Sequence, residues 1–117
     1  MTRSQVSKSD NRAKELLGEA LAYHNAGDFG EAERCYLAVL EMEKDNAKAL
    51  TFLGALHVQC GEYRKATKAL RRSLRIDDRQ PNALNSLGNA LRESMRYEDA
   101  VASYDRAIPP FAALALC

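Results

Sequence analysis

Apolar residues recur along this chain at helical spacing and, over a longer range, every 34 residues. Leu16, Ala20 and Tyr23 fall at i, i+4 and i+7, which puts them on one face of a helix beginning at Asn11 and ending near Asn25. Gly27-Asp28 interrupts that period. Asp28 is followed three residues later by Glu31, the form of a capping box, so a second helix is predicted from about Phe29, with Ala32, Tyr36, Val39 and Leu40 on its buried side. After Lys44-Asp45-Asn46 the pattern starts again: Leu50, Leu53, Gly54 and His57, a break at Gly61-Glu62, then Tyr63, Ala66, Leu70, Ser73 and Leu74. A third copy follows the polar turn Asp77-Asp78-Arg79-Gln80. It opens with Pro81, tolerated at a first helical position, and carries Leu84, Leu87, Gly88 and Leu91, then Tyr97, Ala100, Tyr104, Ala107 and Ile108. The prediction is an all-α domain over residues 11–108, with six helices in three antiparallel pairs at about 13–46, 47–80 and 81–108. Residues 1–10 have no periodic apolar pattern and read as a disordered tail, and 109–117 form an apolar tail behind Pro109-Pro110.

Small residues stand at two fixed registers of this period. Ala20, Gly54 and Gly88 mark the first helix of each pair, and Ala32, Ala66 and Ala100 mark the second. A larger side chain at these places would hold paired helices apart, so these six are the predicted packing contacts.

The 34-residue period with Leu53-Gly54, Leu87-Gly88, Ala66 and Ala100 in register resembles the tetratricopeptide repeat family over about residues 13–114. That resemblance implies a right-handed α-solenoid whose first helices line a concave groove for a peptide or a partner helix. Three departures stand out. Glu19 replaces the leucine of Leu53 and Leu87, as expected of a terminal unit. Met95 replaces the turn glycine of Gly27 and Gly61, which predicts a distorted third turn. The apolar stretch Phe111 to Cys117 contradicts the expectation of a polar end. It reads either as a segment folded over the third unit or as the stand-in for a fourth, and self-association through it is a further alternative.

Composition narrows the classes of function. Lys plus Arg number 17 and Asp plus Glu 16 in 117 residues, a formal charge of +1, so the whole-chain balance favours neither nucleic acid nor a strongly acidic partner. Cys35, Cys60 and Cys117 form no Cys-x-x-Cys pair, which suits reduced thiols. With no secretory pattern and no membrane-length apolar run, the reading is of a soluble, cytoplasmic protein.

Little in the chain suggests catalysis. No phosphate loop, His-Glu-x-x-His or nucleophile elbow occurs, so the expectation is a non-enzyme without cofactor or metal. His57 and Cys60 lie three apart and His24 could approach them, but His57 occupies an aromatic packing position of the repeat and a structural metal needs about four ligands. Arg64, Lys68, Arg71, Arg72 and Arg75 form a basic stripe opposite the apolar face of their helix. From Arg64 to Arg79 there are seven basic and two acidic residues, against two and five from Glu31 to Asp45, so the stripe is expected to meet the acidic first unit. No aromatics are interleaved for base stacking, and nucleic acid is the lesser reading.

By the resemblance, the groove falls at Lys48, Thr51 and Gln59 on the second unit and Asn82, Asn85, Asn89 and Arg92 on the third, with Leu17 and Leu21 at its apolar end. Amides pair with any peptide backbone, and Lys48 and Arg92 favour a carboxylate. The carboxylate-holding pattern of the family's chaperone co-factors is not matched at Leu17, Leu21, Phe52, Asn82 or Ser86. The expected function is a protein-binding scaffold. The alternative is an amino-terminal regulatory or docking segment of a larger enzyme, such as a bacterial glycosyl- or sulfotransferase.

Overall fold

A computed structural model describes the backbone of residues 2–104 and the side chains of 11–96 and Glu98. Five helices follow one another: α1 (Thr2–Asn25), α2 (Phe29–Met42), α3 (Ala47–Gln59), α4 (Tyr63–Ile76) and α5 (Pro81–Tyr104). α1 packs on α2 and α3 on α4 as antiparallel hairpins, and α5 lies against α3 and α4. The domain is all-helical, a tetratricopeptide-like solenoid.

Glycine makes both hairpin turns. Gly27 and Gly61 have φ of 81° and 76°, a region in which side chains are strained. Around Gly27, the Asp28 amide donates to the Tyr23 carbonyl (2.9 Å) and the Gly27 amide to the His24 carbonyl (3.1 Å). The same pair recurs from Glu62 to His57 (2.8 Å) and from Gly61 to Val58 (3.1 Å), so each helix ends in a Schellman motif. Met95 occupies the third such position, and no described residue other than glycine has positive φ. Instead of turning there, α5 runs straight on to Tyr104. The expected third hairpin is therefore corrected to one long helix.

The helix starts need two smaller corrections. α1 begins at Thr2 rather than Asn11: neither Gly nor Pro occurs in 2–10, so an existing helix propagates at little cost. Asp28 is the N-cap of α2 but makes no side-chain cap bond, and Glu31 instead accepts from Arg34 at 2.8 Å. A cap does form at α3, where the Ala49 amide donates to Asn46 Oδ1 at 3.0 Å.

Two clusters carry most of the packing. Ala20, Ala32, Tyr36, Leu53 and Leu56 join the first hairpin to α3. Ala66, Leu70, Ala83 and Ala90 join α4 to α5. Gly54 lies against Leu70 so closely that a Cβ there would stand 2.5 Å from Leu70 Cγ, well inside contact distance. Gly88 is its counterpart in α5 and behaves differently, since nothing lies within 4 Å of the place its Cβ would take. Its expected packing role is corrected accordingly, because among the described residues no second helix lies across it. The side chain of Ala100 and the whole stretch 109–117 lie outside the described residues.

Candidate functional site

The first helices of the units come side by side as α1, α3 and α5. Between them is a cavity of about 390 Å³ lined by Leu17, Leu21, Lys48, Thr51, Phe52, Gln80, Pro81 and Asn82. Three residues of the sequence-derived groove, Lys48, Thr51 and Asn82, thus share one space with Leu17 and Leu21. Lys48 and Asn82 are exposed and available to a ligand.

Thr51 is not, and its reading as an exposed groove residue is corrected. It is buried, and its hydroxyl lies 2.7 Å from Ser73 Oγ and 2.9 Å from Gln80 Oε1. Ser73, also buried, donates to the Ala47 carbonyl at 2.8 Å and accepts from Gln80 Nε2 at 2.9 Å. Every polar atom in this knot has a partner, so Thr51 and Gln80 form the cavity's fixed floor rather than its recognition groups.

The other groove candidates are spread out. Asn85 is exposed, and Arg92 donates to Asn89 Oδ1 at 2.8 Å, so these two hold each other on the surface of α5. Gln59 stands at the far end of α3, where His24 Nε2 donates to its Oε1. His24 Nδ1 lies 2.9 Å from the Tyr36 hydroxyl, so the ring links exposed Gln59 to buried Tyr36. Burial pushes the Tyr36 phenol up to about 12, with the neighbouring Cys35 adding to it.

Sequence reasoning passed over Phe52 as a lining residue. It stacks on Tyr36 with ring centroids 6.3 Å apart and forms part of the cavity wall. A signal was present, since an aromatic stands where the other units have Gly18 and Ser86.

His57 is buried, donates from Nδ1 to Glu62 Oε1 at 3.2 Å, and has Glu33 4.0 Å from its other nitrogen. Among the described residues no three potential metal ligands cluster. Burial pushes the Glu62 carboxyl up, but hydrogen bonds from Lys65 and His57 outweigh this and hold it below the usual range. The basic stripe divides, with Arg72 donating to the Lys44 carbonyl at the end of the first unit at 2.8 Å. Arg64, Lys68, Arg71 and Arg75 line a second cleft, between α4 and α5, with Leu91, Ser94 and Glu98. The stripe's ion pair among the described residues runs from Arg64 to Glu98 (3.3 Å), not to the acidic α2.

The profile of the family described as "Bacterial transcriptional activator domain" matches residues 2–109, nearly the whole chain. The chain belongs to that family, a kind of tetratricopeptide-like helical repeat. Relatives of this activator-family domain include "Photosystem I assembly protein Ycf3" of Rippkaea orientalis, 28% identical over 88% of this chain and 67% of that protein. "Small glutamine-rich tetratricopeptide repeat-containing protein 2" of Mycosarcoma maydis is 27% identical over 83% of the chain but only 28% of its own length. A solved structure of a Thermobaculum terrenum O-GlcNAc transferase mutant superposes with a TM-score of 0.73 at 33% identity, covering 92% of this chain and 20% of that one. The Arabidopsis OM64 TPR domain superposes with a TM-score of 0.72 at 18% identity, covering 92% and 84%, a likeness of fold. Among the described residues no helix is long and apolar enough to cross a membrane.

Proposed function

We infer that this domain is a non-enzymatic scaffold that binds a peptide or partner helix in the groove formed by α1, α3 and α5. The observation that carries this reading is the cavity in which Leu17, Leu21 and Phe52 make an apolar wall while Lys48 and Asn82 stand exposed at its edge. Such a space suits a ligand with an apolar anchor beside a carboxylate or a backbone segment that an amide can pair with. Asn85, Asn89 and Arg92 extend the polar side along α5 for a longer ligand. The name of one relative speaks of assembly, and that of the family of transcriptional activation, both consistent with protein partners.

A second reading, docking segment of a larger enzyme, draws on the O-GlcNAc transferase likeness, in which this fold covers 20% of the chain. Both readings use the same groove. The test is a peptide array of apolar anchors followed by acidic residues, probed with the wild type and with Lys48→Glu plus Asn82→Ala. Both positions are exposed, so folding should be unchanged and binding should fall by about tenfold or more, equivalent to about 1.4 kcal/mol. Equal binding by the double variant would remove the groove as the site.

A further inference from the structure

The far side of α5 carries an apolar stripe that the groove does not use. Leu84, Gly88, Leu91 and Met95 follow at i, i+4, i+7 and i+11, one face of the helix. Leu84 is 54% exposed, Leu91 39% and Met95 68%, and Gly88 has nothing within 4 Å of its would-be Cβ. In the first two hairpins the centre of the corresponding face is covered, although Tyr23, at the place of Leu91, is 37% exposed. Ala20 shares a buried cluster with Ala32, and Gly54 packs under Leu70. Adding the repeat length of 34 assigns Ala100 and Tyr104 as the partners of Gly88.

These partners cannot arrive from the same helix. Gly88 and Ala100 are twelve positions apart on a continuous α5, about 18 Å along its axis. A second copy laid antiparallel on the first solves this without rearranging α5. Its Ala100 and Tyr104 meet Gly88, and by symmetry the contact is made twice. The two registers place the two-fold axis between Ser94 and Arg96, so the highly exposed Met95 meets its own counterpart there.

Charge points to the same occupant. The incoming stretch 97–104 contains Glu98 and Asp99 and no basic residue. The cleft beside the stripe measures about 390 Å³ and is lined by Lys68, Arg71 and Arg75 beyond the Arg64 that pairs with the chain's own Glu98. We propose that the chain forms a two-fold symmetric dimer in which the second half of each α5 occupies the place of the missing sixth helix of the other copy. Exchange of an identical element is a low-cost route to a dimer, and here the loss of one turn glycine, at Met95, keeps the exchanged helix open. The inference does not depend on the groove.

The test uses the full chain in sedimentation over a concentration series. The wild type should approach twice its 13.0 kDa mass. Met95→Gly restores the turn residue, lets 97–104 fold back on its own chain, and should shift the mass to that of the monomer with helicity retained. A second readout does not rely on the hinge variant. With Cys117→Ser to remove a stray thiol, Gly88→Cys plus Ala100→Cys should give a covalent dimer on oxidation, and the same pair with Met95→Gly should give a disulfide within one chain. A wild type that stays monomeric at every concentration, or an intrachain disulfide with Met95 in place, would overturn the proposal.

Discussion

Leu50 in α3 and Leu84 in α5 occupy the same place in two copies of one repeat, yet Leu50 is 3% exposed and Leu84 54%. Gly54 and Gly88 differ in the same way, one pressed against Leu70 and the other facing open space. The helix faces are nearly equivalent in sequence. What separates them is the turn eleven residues after Leu50 or Leu84, where Gly61 reverses the chain and Met95 does not. An apolar face is encoded locally, but its burial depends on whether the next turn returns a helix to cover it.

The widest separation should come from truncating the two leucines. Leu50→Ala removes a buried side chain and should cost about 2 to 5 kcal/mol, enough to threaten a solenoid of this size. Leu84→Ala in dilute protein should cost no more than about 0.5 kcal/mol, as for other surface positions. Urea unfolding followed by circular dichroism at low concentration measures both. Repeating the pair at high concentration sharpens the comparison, since a Leu84→Ala loss that grows with concentration marks a face covered by a second copy.

The glycines should split by sign. A methyl on Gly54 meets Leu70 Cγ at 2.5 Å and Cδ2 at 2.7 Å, an overpacking of about 1 to 3 kcal/mol that outweighs a helix-propensity gain of about 1 kcal/mol. Gly88→Ala meets no neighbour and should stabilise the dilute monomer by about 0.5 to 1 kcal/mol while weakening the dimer. Thermal melts of both variants decide this, and a stabilised Gly54→Ala would mean that the α3/α4 contact is looser than drawn.

Much of this architecture was legible in the residues. The break at Gly27-Asp28 and the spacing to Glu31 put the start of α2 near Phe29, and helical periodicity marked its buried face at Ala32, Tyr36 and Val39. The family resemblance placed Leu17, Leu21, Lys48 and Asn82 along one groove, and these four line one cavity. The failures have physical causes. Helical periodicity reports a face and not its neighbours, so Gly88 was read by analogy with Gly54. Thr51 falls at a groove position of the repeat, but Ser73, at the place Val39 holds in the first unit, and Gln80 satisfy its hydroxyl inside the fold. The Asp28 to Glu31 spacing promised a capping box, yet Arg34, one turn further on, offers Glu31 a charged donor. The substitution of Met95 was visible, but single-chain pattern reasoning gives no measure of whether a helix will turn or run on.

The smallest effect concerns what holds the closed turn shut. Glu62 follows Gly61 and takes hydrogen bonds from His57 and Lys65, whereas Arg96 stands at the matching place in α5. Because the folded protein holds the Glu62 carboxyl below its usual value of about 4.5, its contribution is present above that pH and is lost as pH falls through the folded value. Glu62 is partly exposed, so Glu62→Gln should cost under about 1 kcal/mol at neutral pH. The variant should also show a shallower loss of stability below about pH 4.5, since there is one fewer carboxylate to protonate. Chemical denaturation from neutral pH down to about 3 tests both parts. Parallel curves for wild type and variant would mean that Glu62 does not secure this turn, and that its glycine alone distinguishes the closed hairpin from the open helix.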